Sequence, residues 1–193
     1  MVRGFEDGDF VFAHMEYDFF RVKVAFEVFR FENGFAVEHW DNIQPKLGPN
    51  LSGRSMLDGQ TESKDKHKTE INRALVNDYV EKVLIDREIQ SLGDFIDSKE
   101  FLQHNPNTPD GIEALRLALL ATSPSGLKIK YARLYRVLAQ GNFVLSVSEG
   151  GVDGIHSAFY DLYRVEDNKL VEHWDTIESI PQMSEWKNMN GKF

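Results

Sequence analysis

Apolar and polar positions alternate at both ends of the chain and recur at helical spacing in its middle. Asp9-Phe10-Val11-Phe12-Ala13-His14 and Val22-Lys23-Val24-Ala25-Phe26-Glu27-Val28-Phe29 read as strands rich in aromatic and β-branched residues. Asn33-Gly34 is the favoured pair for a two-residue hairpin turn, with Phe35 to Trp40 as the returning strand. From Gln44 to Asp65 the pattern stops. Pro45, Gly48, Pro49, Gly53 and Asp58-Gly59 mark a linker. Residues 66–92 then carry Ile71, Leu75, Tyr79 and Val83 four apart, with Ala74, Val80 and Leu84 widening the stripe, which predicts a helix. A second short helix falls within 86–96, interrupted near Gly93, and Phe101 to Asn105 is a short strand ended by Pro106. Asp110-Gly111-Ile112-Glu113 has the acid-then-Glu spacing of a capped helix start, with Ile112, Leu115, Leu119 and Leu120 as its buried face and Pro124 and Gly126 as its end. Four strands close the chain: 127–140, 143–149, and 156–165 with 169–177 as a hairpin across Asp167-Asn168.

One string repeats. Phe29 to Asp41 reappears ungapped as Tyr163 to Asp175, since 164 − 30 and 175 − 41 both equal 134, and each copy ends in Glu-His-Trp-Asp. Gly8-Asp9-Phe10-Val11 also resembles Gly141-Asn142-Phe143-Val144, one residue out of that register. A period of this length is one small domain rather than a solenoid repeat. The expected organisation is therefore a partial, β-only domain at 1–44, a linker at 45–65 and a complete domain at 66–193. The complete copy reads α-α-β-α-β-β-β-β. This is an α+β domain with helices on one face of a curved sheet and a pocket at its open end.

Composition narrows the function classes. The chain has 193 residues, 41% of them hydrophobic, and a net charge of −9, so nucleic acid is not an expected partner. It has no cysteine, hence no disulfide, thiolate metal site or cysteine nucleophile. It has no apolar run of membrane-spanning length and no signal-peptide layout at Met1 to Asp7, so the expected location is cytoplasmic, off the membrane. The six histidines show no metal-ligand spacing, Gly150 to Gly154 lacks the Lys-Ser/Thr of a phosphate loop, and no Gly-x-Ser-x-Gly is present.

Gln103-His104-Asn105-Pro106, Asp110-Gly111-Ile112-Glu113, Phe159 to Arg164 and Lys169 to Asp175 fall in the order and spacing of SnoaL-like proteins of the nuclear transport factor 2-like superfamily. They most resemble the group of SnoaL-like aldol-condensation enzymes. The resemblance spans about residues 70–182, and residues 8–44 resemble the last three strands of the same domain. It implies a cone-shaped α+β barrel around a pocket for a small hydrophobic or carbonyl-containing ligand, working without metal or cofactor. Such proteins pair through the outer faces of their sheets. A tandem chain can make that pair internally, so residues 8–43 are expected on the outer face of the complete sheet. The truncated sheet would then expose an inner face, with Phe10, Phe12, Phe26 and Phe29 as candidates, and draw a homodimer or larger assembly.

Alternation puts Val171, His173 and Asp175 on one face of the last strand and Leu170, Glu172 and Trp174 on the other. The sequence leaves open which face lines the pocket. Catalytic candidates are His173, Asp175 and His104: a base to take the proton α to a carbonyl and an acid for the new alkoxide. Tyr79, Asp161 and Trp174 are candidate pocket walls, Asp161 being alternatively an ion-pair partner for Arg164 or Arg136. Glu149 and His156 read as solvated. Because His39 and Asp41 repeat the motif where no complete pocket exists, a structural role for Glu-His-Trp-Asp stands beside the chemical one. The function readings are thus a cofactor-independent lyase or isomerase, a non-catalytic ligand-binding or assembly module, and a remnant of a longer protein with two complete domains.

Overall fold

The structure is a computed structural model, which describes residues 1–97, 101–120, 126–186 and 191–193. Two antiparallel sheets are stacked face to face, and helices cover the far side of one of them. The first sheet is a meander of β1 (Arg3–Asp7), β2 (Phe10–Asp18), β3 (Val22–Glu32) and β4 (Phe35–Pro45) in that order. The second runs β5-β9-β8-β7-β6, from β5 (Leu102–Gln103), β6 (Ile129–Gln140), β7 (Phe143–Val152), β8 (Ile155–Glu166) and β9 (Lys169–Ser179). Only β5 is parallel to its neighbour, pairing Gln103 with His173. After the first sheet come α1 (Thr69–Tyr79), running on into a π-helical turn at Val80–Ile85, and α2 (Leu92–Phe95), with α3 (Ile112–Leu119) between β5 and β6.

The core is split by the second sheet. On one side Val76, Tyr79, Val83, Leu92, Leu115 and Leu119 of the helices pack on Tyr131, Val144, Phe159, Tyr163 and Leu170. On the other, Phe5, Phe12, Phe26 and Val28 of the first sheet pack on Phe143, Leu145, Ala158, Tyr160, Leu162 and Trp174. Polar pins fix the sandwich at both ends. Asn42 Nδ2 donates to the Thr176 carbonyl at 2.6 Å, Ile177 N donates to Gln44 Oε1 at 3.0 Å, and Asp7 takes Arg73 Nη1 at 2.7 Å and Ala139 N at 3.0 Å. Asn42 and Thr176 are 134 residues apart (176 − 42), as are Glu6 and Gln140 (140 − 6), which also meet. Residues at the spacing of the sequence repeat thus touch across the sandwich.

The register of the two sheets also repeats. The β3–β4 ladder skips Val37 between its Arg30–Glu38 and Phe31–Ala36 pairs, and the β8–β9 ladder skips Val171 between Arg164–Glu172 and Val165–Leu170. Each is a β-bulge, and it corrects the simple alternation. Leu170 turns to the helical core with His173 rather than outward with Trp174.

Other expectations shift for similar reasons. The strand β1 carries little alternation, since Gly4 and Phe5 are its only uncharged residues, and it is its pairing with β2 that makes it a strand. Phe12 and Phe26 are not exposed but bury against the second sheet with Phe10 beside them, Phe29 stacks on His39 on the other face, and the apolar side chains left open on this sheet include Val22, Phe31, Phe35 and Val37. Ile71 is 62% exposed, and the buried row of α1 runs through Asn72, whose amide donates to the Gly141 carbonyl at 2.8 Å. A polar residue that belongs in the core for its hydrogen bond defeats a hydrophobicity stripe. Leu120 is likewise exposed, and Pro124 lies outside the described residues. Among the described residues, no helix is long and apolar enough to cross a membrane.

Candidate active site

The helices and the concave face of the second sheet enclose a cavity of about 40 Å³. Its apolar wall includes Tyr79, Leu84, Phe101, Leu119, Tyr131 and Tyr163, and its polar groups are Gln103, Asn105, Thr108, His173 and Asp175. A wider outer chamber of about 200 Å³ shares Asn105, Thr108, Ile129 and Ile177 with it and adds Gln44 and Leu47 from the N-terminal part of the chain.

The polar groups form one buried network. Asp161 and Asp175 are cross-strand neighbours on β8 and β9, and His173 lies two residues before Asp175 on the same face. His173 Nε2 is 3.0 Å from Asp161 Oδ1, which also accepts from the Tyr131 hydroxyl at 3.1 Å. His173 Nδ1 is 2.9 Å from Gln103 Oε1. That oxygen also accepts the Asn105 backbone N–H at 2.9 Å, so it is an acceptor and His173 Nδ1 must carry a proton. Nε2 and Asp161 are therefore left to share a proton between them. The imidazole is stacked on Tyr163 at 4.8 Å. Asp175 Oδ2 accepts from Asn105 Nδ2 at 2.5 Å, while its Oδ1 is buried with no hydrogen-bond partner.

Electrostatics follow from this placement. Burial raises the Asp175 carboxyl to about 6, with the Asp161 charge adding to the rise and His173 and the Asn105 hydrogen bond opposing it. Burial works against the His173 imidazolium, but the Asp161 hydrogen bond and the two carboxylate charges hold its pKa above the ordinary value. Burial, then the Asp161 charge, pushes the Tyr131 hydroxyl well up, so it remains a donor. The site can thus lend or take a proton near neutral pH, next to a carboxylate oxygen with no partner of its own.

Of the residues expected from sequence, Tyr79, His173 and Asp175 face the cavity, and Asp161 sits directly behind it as the partner of His173 and Tyr131. Arg164 pairs instead with Glu172 and Glu166. His104 and Trp174 do not face the cavity. β5 runs beside β9 with Gln103 opposite His173, so Gln103 and Asn105 point inward and His104 outward. There its ring stacks on Trp174 at 4.8 Å, with Nδ1 donating to the Ser55 carbonyl at 2.7 Å and Nε2 2.9 Å from Glu172 Oε1. Arg3 lies over the Trp174 ring at 4.2 Å and donates to the Leu57 and Asp58 carbonyls at 2.9 and 2.7 Å. This outer cluster ties β1, the linker and β9 together. Burial works to raise Glu172, but hydrogen bonds from His104 and Arg164 hold its pKa below the usual value. Glu149 and His156 pair with each other at 2.6 Å in the open.

The residues sequence reasoning missed are Tyr131, Gln103 and Asn105. Parity on one short strand would have found the last two, because Gln-His-Asn places the outer residues together and the histidine against them. Histidine–carboxylate trios also escaped the search for metal-ligand spacing, because they form across strands. Ligand-type atoms lie within 4.8 Å of one another in Asp161, His173 and Asp175, and in Glu27, His39 and Asp41. In each trio the histidine Nε2 is already engaged by a carboxylate. The second trio sits at the repeat-equivalent positions, with His39 stacked on Phe29 at 4.3 Å.

No family model matches the chain, and no curated protein matches it. Among solved structures, a Kribbella flavida protein described as a candidate ketosteroid isomerase aligns over 65% of this chain and 94% of its own length, at 14% identity and a TM-score of 0.50. A SnoaL-like polyketide cyclase from Agrobacterium tumefaciens aligns over 55% and 91%, at 11% identity and 0.44. A nuclear transport factor 2-like protein of unknown function from Mesorhizobium loti aligns over 58% and 94%, at 18% and 0.45. At these identities the likeness concerns fold. The part of the chain that aligns shares the α+β fold of the Kribbella flavida protein, a curved sheet with helices on one face, and a four-stranded sheet is stacked on its other face.

Proposed function

We propose that the cavity is an acid–base site for a small, largely apolar carbonyl compound, performing aldol-type cyclisation or isomerisation with side chains alone. The observation that carries this reading is Asp175: a buried carboxylate with a raised pKa and an unpartnered oxygen, in an apolar cavity beside a proton-sharing His173–Asp161 pair. In this scheme Asp175 removes the proton α to the carbonyl. The His173 imidazolium then supplies a proton to the oxygen that gains charge. The SnoaL-like and isomerase descriptions of the structural neighbours agree in reaction type, and they remain statements about those proteins.

The test is deuterium exchange. Protein is incubated in D₂O with a panel of cyclic and aromatic ketones, and α-hydrogen loss is followed by NMR. Wild type is expected to exchange at least one class, and Asp175→Asn to exchange it at least ~100-fold more slowly. Equal rates in both proteins would overturn the assignment.

We also propose that residues 1–44 are a truncated tandem copy of the same domain, supported by the shared strand order, the bulges at Val37 and Val171, and the 134-residue contacts across the sandwich. A second reading, an assembly module, is favoured by one observation. The first sheet leaves Phe31 36%, Phe35 73% and Val37 46% exposed around its β3–β4 hairpin. A second copy of the chain is the occupant in this reading, and sedimentation of wild type against Phe35→Ser/Val37→Ser decides it. A monomer at all concentrations excludes it.

A further inference from the structure

The segment after β4 is a linker by composition, yet its residues are built into the wall of the site. Asn50 is buried, and its side chain spends its hydrogen-bonding capacity on two stretches of backbone. Its Nδ2 faces the carbonyls of Gln103 at 2.6 Å, Thr108 at 2.9 Å and Asn105 at 3.4 Å. Its Oδ1 accepts the backbone N–H groups of Ser52 at 2.9 Å and Arg54 at 3.1 Å. Ser52 and Arg54 also hold the far end of the loop through Asp110. Arg54 Nε donates to Asp110 Oδ2 at 2.7 Å, Asp110 N donates to Ser52 Oγ at 2.9 Å, and Asp110 Oδ1 takes the Gln103 N–H at 2.9 Å. The loop held in this way carries Gln103, Asn105 and Thr108, the polar groups of the cavity that do not come from β9.

We propose that Asn50 is a positioning residue of the acid–base site: by anchoring the 103–108 loop it aims the Asn105 amide at Asp175 and the Gln103 oxygen at His173. The inference rests on the reading of the cavity as the site. It adds that the chain between the two sheets, where a connector would ordinarily be free to vary, sets the protonation of the catalytic carboxylate. The physical reason is geometric. Gln103, Asn105 and Thr108 belong to a segment with two residues of regular structure, so no long ladder fixes where their side chains point. Three carbonyls converging on one amide supply that constraint from outside. The hydrogen bond from Asn105 opposes the burial that raises Asp175, so slackening the loop must let the carboxyl rise further.

The experiment is a double-mutant cycle read by the side-chain ¹³C titration of Asp175 in labelled full-length protein. Asn50→Ala and Asn105→Ala are each expected to raise the Asp175 midpoint by about one unit, and the double variant to raise it no further than either alone. If Asn50→Ala does not fold, Asn50→Asp keeps the shape and the two Oδ1 bonds, sets a carboxylate oxygen against the three carbonyls, and is expected to shift the midpoint in the same direction. An unmoved midpoint in the Asn50 variant, or additive shifts in the cycle, overturns the proposal. The outcomes separate from those of the parent reading. If Asp175→Asn abolishes ketone exchange while Asn50→Ala leaves the titration untouched, the site stands and the positioning role falls. If Asp175→Asn exchanges like wild type, the site itself falls.

Discussion

At the scale of the residue, the chain holds an acid where folding would rather have a neutral group. Asp175 is buried, with its carboxyl raised from 3.8 to about 6. The sign of its linkage follows. An acid raised on folding binds its proton more tightly in the native state, so stability is greatest below the unfolded value and falls as pH rises from about 4 through about 6. Across that window the wild type is expected to lose about 1 to 3 kcal/mol from this group. Asp175→Asn should lack that loss and match or exceed wild type at pH 8, as urea unfolding at pH 4 and pH 8 will show. Identical pH slopes would mean that Asp175 is not the stressed group. His173, also raised, contributes in the same direction at higher pH. Stability forfeited at a buried cluster lining a cavity is the pattern expected where a working site is proposed.

Among the elements, the connector and the last strand constrain each other most tightly. Gly59 lies in the linker with φ +93, and a Cβ there would sit 2.1 Å from Glu172 Oε1 and 2.7 Å from Trp174 Cζ2. Both the backbone region and the space demand glycine. Gly59→Ala is expected to cost more than about 2 kcal/mol in chemical denaturation. It also moves the Glu172–His104–Trp174 cluster, which a change in tryptophan fluorescence would report. A stability within about 0.5 kcal/mol of wild type would mean the linker is looser than its packing implies. The same tightness explains why His104 misled the sequence reading. A histidine beside a strand end has the right chemistry for a site, but on so short a strand its face is chosen by the pairing of Gln103 with His173 and by the linker over Trp174. The bulge at Val171 acts likewise on the last strand, turning Leu170 inward without any mark that separates it from an unbroken alternation.

For the whole molecule, the inter-sheet core makes the N-terminal sheet part of one cooperative unit. Phe12 and Phe26 are each at most 1% exposed, and their partners are on β7, β8 and β9. A single unfolding transition is expected by circular dichroism and by fluorescence alike. Phe26→Ala should lower the whole transition, at a cost of about 3 to 5 kcal/mol. Two separated transitions, with only the first displaced by Phe26→Ala, would show that the sheets fold independently. This stacking also occupies the outer face of the five-stranded sheet from within the chain, so a pairing of two cones through that face is closed. The exposed apolar residues of the first sheet then include Phe31, Phe35 and Val37 at the β3–β4 hairpin.

Much of this was legible in the chain. The alternation of β2–β4 and β6–β9, the helical stripe near α1, the connector and the 134-residue repeat all rest on local spacing, which neighbours in sequence decide. His173 and Asp175 were marked by the repeated Glu-His-Trp-Asp string, and their common face by their spacing of two. What the sequence alone could not decide is which groups meet. Asp161 joins His173 only through cross-strand register, Asn105 reaches Asp175 only because Asn50 holds its loop, and Glu172 goes outward to His104 and Arg164. Those contacts join residues 8 to 70 positions apart. They are set by bulges, sheet stacking and a connector's hydrogen bonds, each a property of the packed molecule rather than of any one segment.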